Sequence, residues 1–413
     1  MVCQASCLLP PVAKGQHLIG ECRSTKLVRS AVGRDRRTDG EDVAQESPTF
    51  RFMIMCLFVS AAAAPAFADM VTLGNSSQPR VVSDGGKRVS IIFGRAGQIV
   101  VADSTDGGSS FQAARVVASA EGMALGMRRG PRAALTENTL VVAAIAGETG
   151  NHESGDVWCW TSTDDGRTFS RSGTPLNSVP DAAREGLHAL AASPDGRVVC
   201  VWLDMRNVVK GKPGTEVWMN QSNDGGVTWE GDRVVYRHEG GSVCECCHPS
   251  VAIDAAKNIH VMFRHARDGA RDMYLTSSRD GGRTFSAPAK LGTGTWLINA
   301  CPMDCGDLSV APGGEVQTVW KRDGRVFSAV AGKGEHDISK GNQPVTVATS
   351  RGPWMSWTQG RTLMSQLSSG MPVRLAADAT YPHAAMAADE TIIVASEQNK
   401  EIVVQRVPVT DGR

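Results

Sequence analysis

The sequence carries one eight-residue pattern four times at nearly equal spacing. The segments are STDGGSSF (104–111), STDDGRTF (162–169), SNDGGVTW (222–229) and SRDGGRTF (278–285). Their aspartates, Asp106, Asp164, Asp224 and Asp280, lie 58, 60 and 56 residues apart. An aspartate that accepts backbone amides and a glycine that tolerates positive φ are typical of a tight turn. The repeat therefore predicts one supersecondary unit, copied along the chain with the same turn.

Short β-type segments surround every copy of the pattern. Each octamer follows a run such as QIVVAD (98–103) or DVWCWT (156–161), which itself follows a run such as RVSIIFG (88–94) or TLVVAAI (139–145). A short strand opens each unit and a fourth follows the octamer, and no stretch has a convincing helical period. Four-stranded antiparallel units in series cover their edges by closing into a ring, which predicts an all-β fold, a β-propeller.

The number of blades depends on the units that lack a complete octamer. Counting hairpins gives seven four-stranded blades. The sixth unit, GPWMSW (352–357) with RTLMSQL (361–367), is short enough that six blades remain an alternative. The last unit lacks a fourth strand, and the segment MVTLG (70–74) is predicted to supply it and close the ring.

The four octamers resemble the Asp-box, or bacterial neuraminidase, repeat, and residues 69–413 are similar to the sialidase superfamily of propellers. The resemblance implies that Asp106, Asp164, Asp224 and Asp280 are structural and lie away from the central face. It also implies carbohydrate or glycoconjugate recognition at that face, with glycoside hydrolysis of the exo-α-sialidase type as the associated reaction. The superfamily's arginine triad and its tyrosine nucleophile paired with glutamate have no obvious match. The nearest motif is QPRVV, with Arg80, and the sequence has three tyrosines.

Polar residues near the ends of two second strands are candidates for reacting groups. WLDMR places Asp204 and Arg206 at one strand end, and FRHARDGARD places Arg264, Arg271 and Asp272 around the next hairpin. Arginine binds a carboxylate through two hydrogen bonds, and a carboxylic acid can protonate a leaving group. The alternative interpretation is that these residues form solvated ion pairs in loops.

The segment before the repeats is typical of an export signal. Arg51 precedes an apolar run, and Ala66-Phe67-Ala68 is a small-x-small cleavage site, so residues 51–68 are predicted to be a signal peptide. Residues 1–50 are predicted to be a disordered extension that is not part of the natural chain. Residues 69–413 would form a single exported domain, periplasmic or secreted, without a membrane span. Because the 43 basic and 43 acidic side chains balance, nucleic acid is not an expected partner. A monomer is expected.

A cysteine-rich pair of loops is the second candidate centre. CECCHPS places Cys244, Cys246, Cys247 and His248 before one predicted inner strand, and CPMDC places Cys301 and Cys305 before the next. Equivalent points on neighbouring blades are adjacent in a propeller, so these side chains should converge. The Cys-x-Cys-Cys motif and the Trp296-x4-Cys-Pro motif resemble those of an exported sialidase-like subgroup, and that resemblance implies no particular reaction.

Several chemistries fit this cysteine cluster. Disulfides are expected in an exported chain, although a bridge between adjacent Cys246 and Cys247 would be strained. Copper or zinc bound by thiolates, with His248, is a second interpretation. Residues 244–248 also match the Cys-x-x-Cys-His motif for covalent haem. Haem is disfavoured because it needs open space beside the motif, and a predicted strand starts directly after it. A reactive thiol or redox pair is the fourth. The disulfide interpretation needs no cofactor, and no cofactor is expected. The other interpretations predict a propeller whose function is metal- or redox-linked. For the protein as a whole, a non-catalytic scaffold that binds another protein is a further alternative.

Overall fold

The computed structural model describes residues 70–149, 153–210, 214–239, 241–368 and 370–409. The predicted extension (1–50) and signal peptide (51–68) lie outside these ranges. The described residues belong to one compact unit, 63–413. They form 29 strands and one four-residue helix, α1 (Arg206–Val209). None of the helical structure in these ranges is long and apolar enough to cross a bilayer.

The strands form seven antiparallel sheets, which are the blades of a β-propeller. The first strand, β1 (Val71–Asn75), belongs to the last blade. Blade 1 consists of β2 (Ser77–Ser83), β3 (Val89–Arg95), β4 (Gln98–Ser104) and β5 (Arg115–Ser119). Blade 2 consists of β6 (Arg132–Leu135), β7 (Leu140–Ala146), β8 (Asp156–Ser162) and β9 (Ser170–Arg171). Blade 3 consists of β10 (His188–Ala192), β11 (Val198–Asp204), β12 (Glu216–Ser222) and β13 (Arg233–Tyr236).

The remaining blades follow the same order. Blade 4 adds β14 (Ser242–Val243) to β15 (Ser250–Ile253), β16 (Ile259–Ala266), β17 (Met273–Ser278) and β18 (Ala289–Lys290). Blade 5 consists of β19 (Gly306–Val310), β20 (Val316–Arg322), β21 (Arg325–Val330) and β22 (His336–Lys340). Blade 6 consists of β23 (Asn342–Thr349), β24 (Gly352–Gln359), β25 (Thr362–Leu367) and β26 (Val373–Ala376). Blade 7 consists of β27 (Ala379–Ala387), β28 (Thr391–Gln398), β29 (Glu401–Pro408) and β1.

The predicted all-β propeller is confirmed, and the number of blades is seven. The sixth unit is a complete blade because β23, which the sequence patterns left unassigned, precedes the GPWMSW hairpin. The ring closes as predicted from MVTLG: β1 pairs antiparallel with β29, with Val71 opposite Val404 and Thr72 opposite Val403. The beginning of the domain therefore supplies the outer strand of the last blade, which closes the ring by tying the two ends of the domain together.

The hydrophobic core lies between neighbouring blades. Every residue of β7 and of β11 is buried, as expected for strands covered on both faces. Cys159 and Cys200 pack in one such layer, at 1% and 0% exposure. Burial raises the pKa of the Cys159 thiol to about 12, so it is an inert, apolar core side chain.

The four Asp-box aspartates close the turns between third and fourth strands. Asp164 is typical: one carboxylate oxygen accepts the Ser162 hydroxyl at 2.8 Å and the Thr168 amide at 2.9 Å, and the other accepts the Thr168 hydroxyl at 2.6 Å. Asp106, Asp224 and Asp280 repeat this arrangement. The hydrogen bond from the Ser110 hydroxyl, followed by other turn donors, lowers the pKa of Asp106 to about 2. The boxes are thus structural turns on the face opposite to the one where inner strands begin.

The box glycines also join each blade to the preceding one. Gly226 of blade 3 has φ +86°, and a Cβ there would lie 3.0 Å from Thr161 Oγ1 and Val141 of blade 2. The Gly226 carbonyl accepts the Thr161 hydroxyl at 2.8 Å. A side chain at this position would strain the backbone and separate the two blades.

We therefore expect Gly226→Ala to lower the free energy of unfolding by about 1–3 kcal/mol, because positive φ and a close contact both oppose the methyl group. Chemical denaturation measures the loss. Gly107→Ala, with φ +73° but open space around it, should lose less, and Gly313→Ala, which has neither feature, should be neutral. Equal losses at all three positions would contradict the proposed blade joint.

Candidate functional site

The inner strands surround a channel along the propeller axis. They are β2, β6, β10, β15, β19, β23 and β27, and each packs against the next around the ring. The channel has a cavity volume of about 330 Å³, within the range of small-molecule sites. Its charged and imidazole side chains are those of Arg80, Arg128, Arg132, His248, Asp307 and His383. Most of its remaining lining comes from small and aliphatic side chains.

Two proline-containing bulges determine where Arg80 and His383 enter the channel. The pairing register shifts between Ser77 and Arg80, and again between Thr380 and His383. The skipped residues are Gln78-Pro79 and Tyr381-Pro382. Proline lacks an N–H and is tolerated at such irregularities near the start of a strand. The bulges place Arg80 and His383 as the first regular residues of their inner strands, at the polar end of the channel.

Arg80 is a cation without a partner. In the described part of the chain, its guanidinium has neither a hydrogen-bond partner nor an ion-pair partner. Burial and the neighbouring Arg128 charge lower the pKa of Arg80 to about 9, and Asp307 offsets only part of this. A half-buried guanidinium without a partner is costly to desolvate and favours an incoming anion.

Two further arginines reinforce the positive potential. Arg132 is 3% exposed and donates to backbone carbonyls, including that of His188 at 3.0 Å. Arg128 is 5% exposed, and its Nε lies 3.8 Å from the Asp304 carboxylate. Burial, then Arg80 and Arg128, lower the pKa of Arg132 well below its ordinary value. Three guanidiniums thus face two carboxylates, those of Asp304 and Asp307, and leave an excess of positive charge.

The axial histidines are neutral. His383 Nδ1 accepts the Val81 amide at 3.1 Å, and His248 Nε2 donates to the Gly306 carbonyl at 3.1 Å. Burial, then the arginine charges, lower the pKa of both rings well below the ordinary value. For the same two reasons the pKa of His188 falls to about 3. The His248 and His383 rings therefore add hydrogen-bonding groups at the axis without adding charge at neutral pH.

A depression of about 240 Å³ adjoins the channel on the face where the inner strands begin. Arg128 lines both spaces. Lys321, Asp304 and Tyr381 also line the depression. The Tyr381 hydroxyl accepts the Met127 amide at 3.4 Å, and Met127 and Arg128 both have positive φ. Such backbone strain in consecutive non-glycine residues is common at binding sites. Channel and depression together form the candidate site.

The structure places Asp204 and Arg206 in a separate network on blade 3. The Arg206 guanidinium donates to both Asp204 carboxylate oxygens at 2.8 and 2.9 Å, and to Asp232 at 2.5 Å. It also lies over the Trp218 ring, 3.2 Å from the ring centre. Within the described ranges, neither Asp204 nor Arg206 lines the axial channel. Both side chains are engaged with protein groups.

Arg264, Arg271 and Asp272 lie together on blade 4, also outside the channel lining. Asp272 accepts the Trp296 amide at 2.8 Å and pairs with Lys290 at 2.8 Å. Arg271 donates its amide to the Trp296 carbonyl at 2.8 Å. The buried Arg264 guanidinium lies beneath Trp296, 5.4 Å from the ring centre. These residues hold the Trp296 loop against the blade.

Four of the five loop cysteines meet beside Arg264. The Sγ atoms of Cys244, Cys246 and Cys247 lie within 4.8 Å of one another, and the buried Cys305 packs in the same core cluster as Cys244 and Cys247. Cys301 is exposed and lies apart from this group. His248 points into the axial channel instead. In the described residues the thiols are free, and the disulfide interpretation stays a prediction.

Sequence reasoning named Arg80 only as a poor match to an arginine motif and placed His248 with the cysteines, and it did not assign the other axial arginines and histidine at all. Their signal is a proline directly before a polar residue at the start of an inner strand: QPR (78–80), GPR (130–132) and YPH (381–383). The sequence patterns treated these segments only as strand openings. Because the three tripeptides occur at the same position of repeated units, they bring Arg80, Arg132 and His383 to one end of the axis.

The fold and this site define a seven-bladed propeller with a polar axial channel. The sequence of residues 95–394 matches the BNR repeat-like domain, and the chain therefore belongs to that family. This confirms the predicted relationship to Asp-box propellers. A comparison with curated proteins found no match.

Several solved propellers share the fold. An α-L-arabinanase of Penicillium chrysogenum, solved with arabinobiose, has 14% identity and a TM-score of 0.50 over 83% of this chain and 99% of the other. A PL25 ulvan lyase bound to a glucuronate- and sulfated-rhamnose-containing saccharide has 12% identity and a TM-score of 0.51 over 82% and 94%. Trypanosoma rangeli sialidase, with the inhibitor DANA, has 12% identity and a TM-score of 0.46 over 82% of this chain and 60% of the other.

The depressed histidine pKa values predict a loss of stability in acid. His188 has a pKa of about 3 when folded, against about 6.5 in the unfolded chain. Between these values only the unfolded state gains the proton, so the free energy of unfolding falls as pH is lowered, by about 1.4 kcal/mol per pH unit for one group. We expect His188→Gln to flatten this dependence, measured by urea denaturation from pH 7 to 4. Replacement of the exposed His336 by Gln should leave the pH dependence of the unfolding free energy unchanged. An equal flattening in His336→Gln would contradict the assignment of this pH dependence to His188.

Proposed function

We propose that the protein recognises a carbohydrate that carries a carboxylate, at the axial face of the propeller. The observation that carries this proposal is the unpartnered Arg80 guanidinium beside Arg128 and Arg132. A carboxylate accepts two parallel hydrogen bonds from a guanidinium, which matches the geometry that Arg80 leaves unused. The ligand would neutralise the excess positive charge and relieve the cost of burying it.

Shape and family both support a saccharide. The channel and its adjoining depression provide about 330 and 240 Å³, lined by arginine, histidine, tyrosine and amide groups that suit hydroxyls and a carboxylate. Two solved propellers of similar fold, the arabinanase and the ulvan lyase, bind saccharides in their structures. The saccharide in the lyase structure contains glucuronate. This chain's positive axis favours the acidic class.

We propose further that the bound acidic sugar is hydrolysed, in the manner of an exo-α-sialidase. Tyr381 lines the depression beside Arg128 and is the nucleophile in this proposal. Glu397 lies on the adjacent strand of blade 7, opposite Thr380, and burial raises its pKa. A carboxyl group with a raised pKa suits proton transfer near neutral pH. Asp204, Arg206, Arg271 and Asp272, engaged with other protein groups, would support the fold.

Binding of N-acetylneuraminic acid and glucuronic acid, measured by calorimetry, tests the recognition proposal. Arg80→Met should weaken binding about 10- to 100-fold, as expected for loss of a charge-assisted pair. It should also slightly raise the stability of the ligand-free protein, because it removes an unpaired, half-buried positive charge. Methyl esters of the same sugars should bind poorly to the natural protein.

The control is Arg167→Met, an exposed arginine of an Asp-box turn on the opposite face. It should leave binding unchanged. A fluorogenic sialoside reports hydrolysis in the same samples, and Tyr381→Phe should retain binding but lose turnover. Acid sugars that bind the natural protein and the Arg80→Met protein equally would refute the axial site, whereas binding without turnover would refute hydrolysis alone.

Export is a separate part of the proposal. It is supported by the arginine, apolar run and Ala-x-Ala site of residues 51–68. We expect protein purified from the producing cells to begin near Asp69 and to be found outside the cytoplasm. Intact-mass measurement of fractionated cells checks this. A cytoplasmic protein that retains residues 51–68 would contradict it.

A further inference from the structure

The four clustered cysteines form a buried set of soft ligand atoms. Cys244 is 3% exposed, Cys247 1% and Cys305 0%, while Cys246 is half-buried. The Cys244 and Cys246 Sγ atoms are 3.6 Å apart, and all three loop thiols fall within 4.8 Å of one another. Two sulfurs bound to one ion at about 2.3 Å can be at most about 4.6 Å apart. The Cys244, Cys246 and Cys247 thiols are therefore close to the spacing that a single metal ion requires, and Cys305 packs beside them as a fourth thiol.

The strand pairing of blade 4 builds this site. β14 and β15 both pair with β16, at Ser242 opposite Ala266 and at Ser250 opposite Met262. The cysteine loop between them is thereby held over one stretch of β16, and the Cys244 amide donates to the Arg264 carbonyl at 2.9 Å. Cys305 approaches from the start of blade 5. The site is preorganised by two blades rather than by a flexible loop alone.

A buried cation faces the thiols. Arg264 is 1% exposed, and its Nη2 donates to the backbone carbonyls of Asp304 and Lys321 at 3.0 and 2.7 Å. Its Nη1 donates to the Arg271 carbonyl. Its Nε has no hydrogen-bond partner, and among the described residues no carboxylate lies within ion-pair distance. Asp304 acts on it only at longer range. A nearby negative charge stabilises a buried guanidinium, and thiolates would provide one that disulfides or neutral thiols would not.

We propose that Cys244, Cys246, Cys247 and Cys305 bind one Cu(I) ion as thiolates, with Arg264 as the counter-charge of the anionic copper–thiolate centre. This proposal is independent of the carbohydrate proposal. Arg264 is a positioning residue in it, because it acts through the thiolates and does not touch the metal.

The donor set favours Cu(I) over the other candidates. The three grouped ligand atoms and the neighbouring Cys305 thiol are all sulfur, and soft thiolates select Cu(I), zinc and iron–sulfur clusters. Cys244 and Cys247 have the Cys-x2-Cys spacing that also occurs in structural zinc sites, but Cys246 adds a third thiol between them, with its Sγ 3.6 Å from that of Cys244. His248 donates to Gly306 and faces the channel, so a mixed sulfur–imidazole zinc site would need that ring to turn. Met262 and Met273 pack in the same core cluster and keep the surroundings apolar.

Titration of the reduced protein with Cu(I) in the presence of bathocuproine disulfonate, under anaerobic conditions, tests the proposal. The natural protein should remove one Cu(I) per chain from this chelator and gain ultraviolet thiolate-to-copper absorption. Cys247→Ser and the half-buried Cys246→Ser should both lose the absorption. Arg264→Met should weaken Cu(I) binding about 10- to 100-fold and Arg264→Lys less, as expected for a group in the outer shell of a metal site.

Cys301→Ser is the matched control, since this exposed cysteine lies outside the cluster; its copper binding should be that of the natural protein. Circular dichroism verifies the fold of each variant, and Cys246→Ser and Arg264→Lys keep the test valid if Cys247→Ser does not fold. Zn(II) bound by the same cysteines in preference to Cu(I) would overturn the assignment. So would a mass, measured on protein isolated from the producing cells without reductant, that is four hydrogens short because the four cysteines are bridged.

Discussion

Burial of each blade between its two neighbours is the interaction on which the rest of the structure depends. Strands such as β7 and β11 are buried along their whole length, and their apolar surface is removed from water only when the adjacent blade is present. The pairing of β1 with β29 closes the series. The Asp-box turns add polar and close-packed joints between blades, as at Gly226 and Thr161. A single blade would expose both apolar faces.

Closure also fixes the axis. Seven inner strands surround a narrow space, and their first residues must share it. The chain places Arg80, Arg132 and Arg128 there; after burial, the Arg128 charge lowers the pKa of Arg80, and the Arg80 and Arg128 charges lower the pKa of Arg132. Such crowding of like charges opposes folding, and the many apolar layers between blades compensate for it. The same crowding makes the empty axis attractive to an anion, so the cost to stability is the physical basis of the proposed recognition.

The two candidate centres are neighbours joined through one segment. Asp304 interacts with Arg128 of the axial site through its carboxylate and with Arg264 of the cysteine site through its carbonyl. Cys305 follows it directly. His248 of blade 4 also lies between the two centres, because it follows Cys247 in the chain while its ring lines the axial channel. A change of charge at one centre therefore acts on groups of the other centre directly, through Asp304 and His248.

The sequence by itself determined the repeat, the four-stranded unit and the closing strand, because turn chemistry and alternating apolar runs are local properties. It also indicated that the Cys244–Cys247 and Cys305 loops meet, since equivalent points of consecutive repeats are adjacent. Only the tertiary structure decided what each polar side chain contacts. Asp204 and Arg206 satisfy each other on blade 3, whereas Arg80 remains unpaired. Pairing of this kind depends on directions and distances between blades, which the linear pattern of residues does not encode.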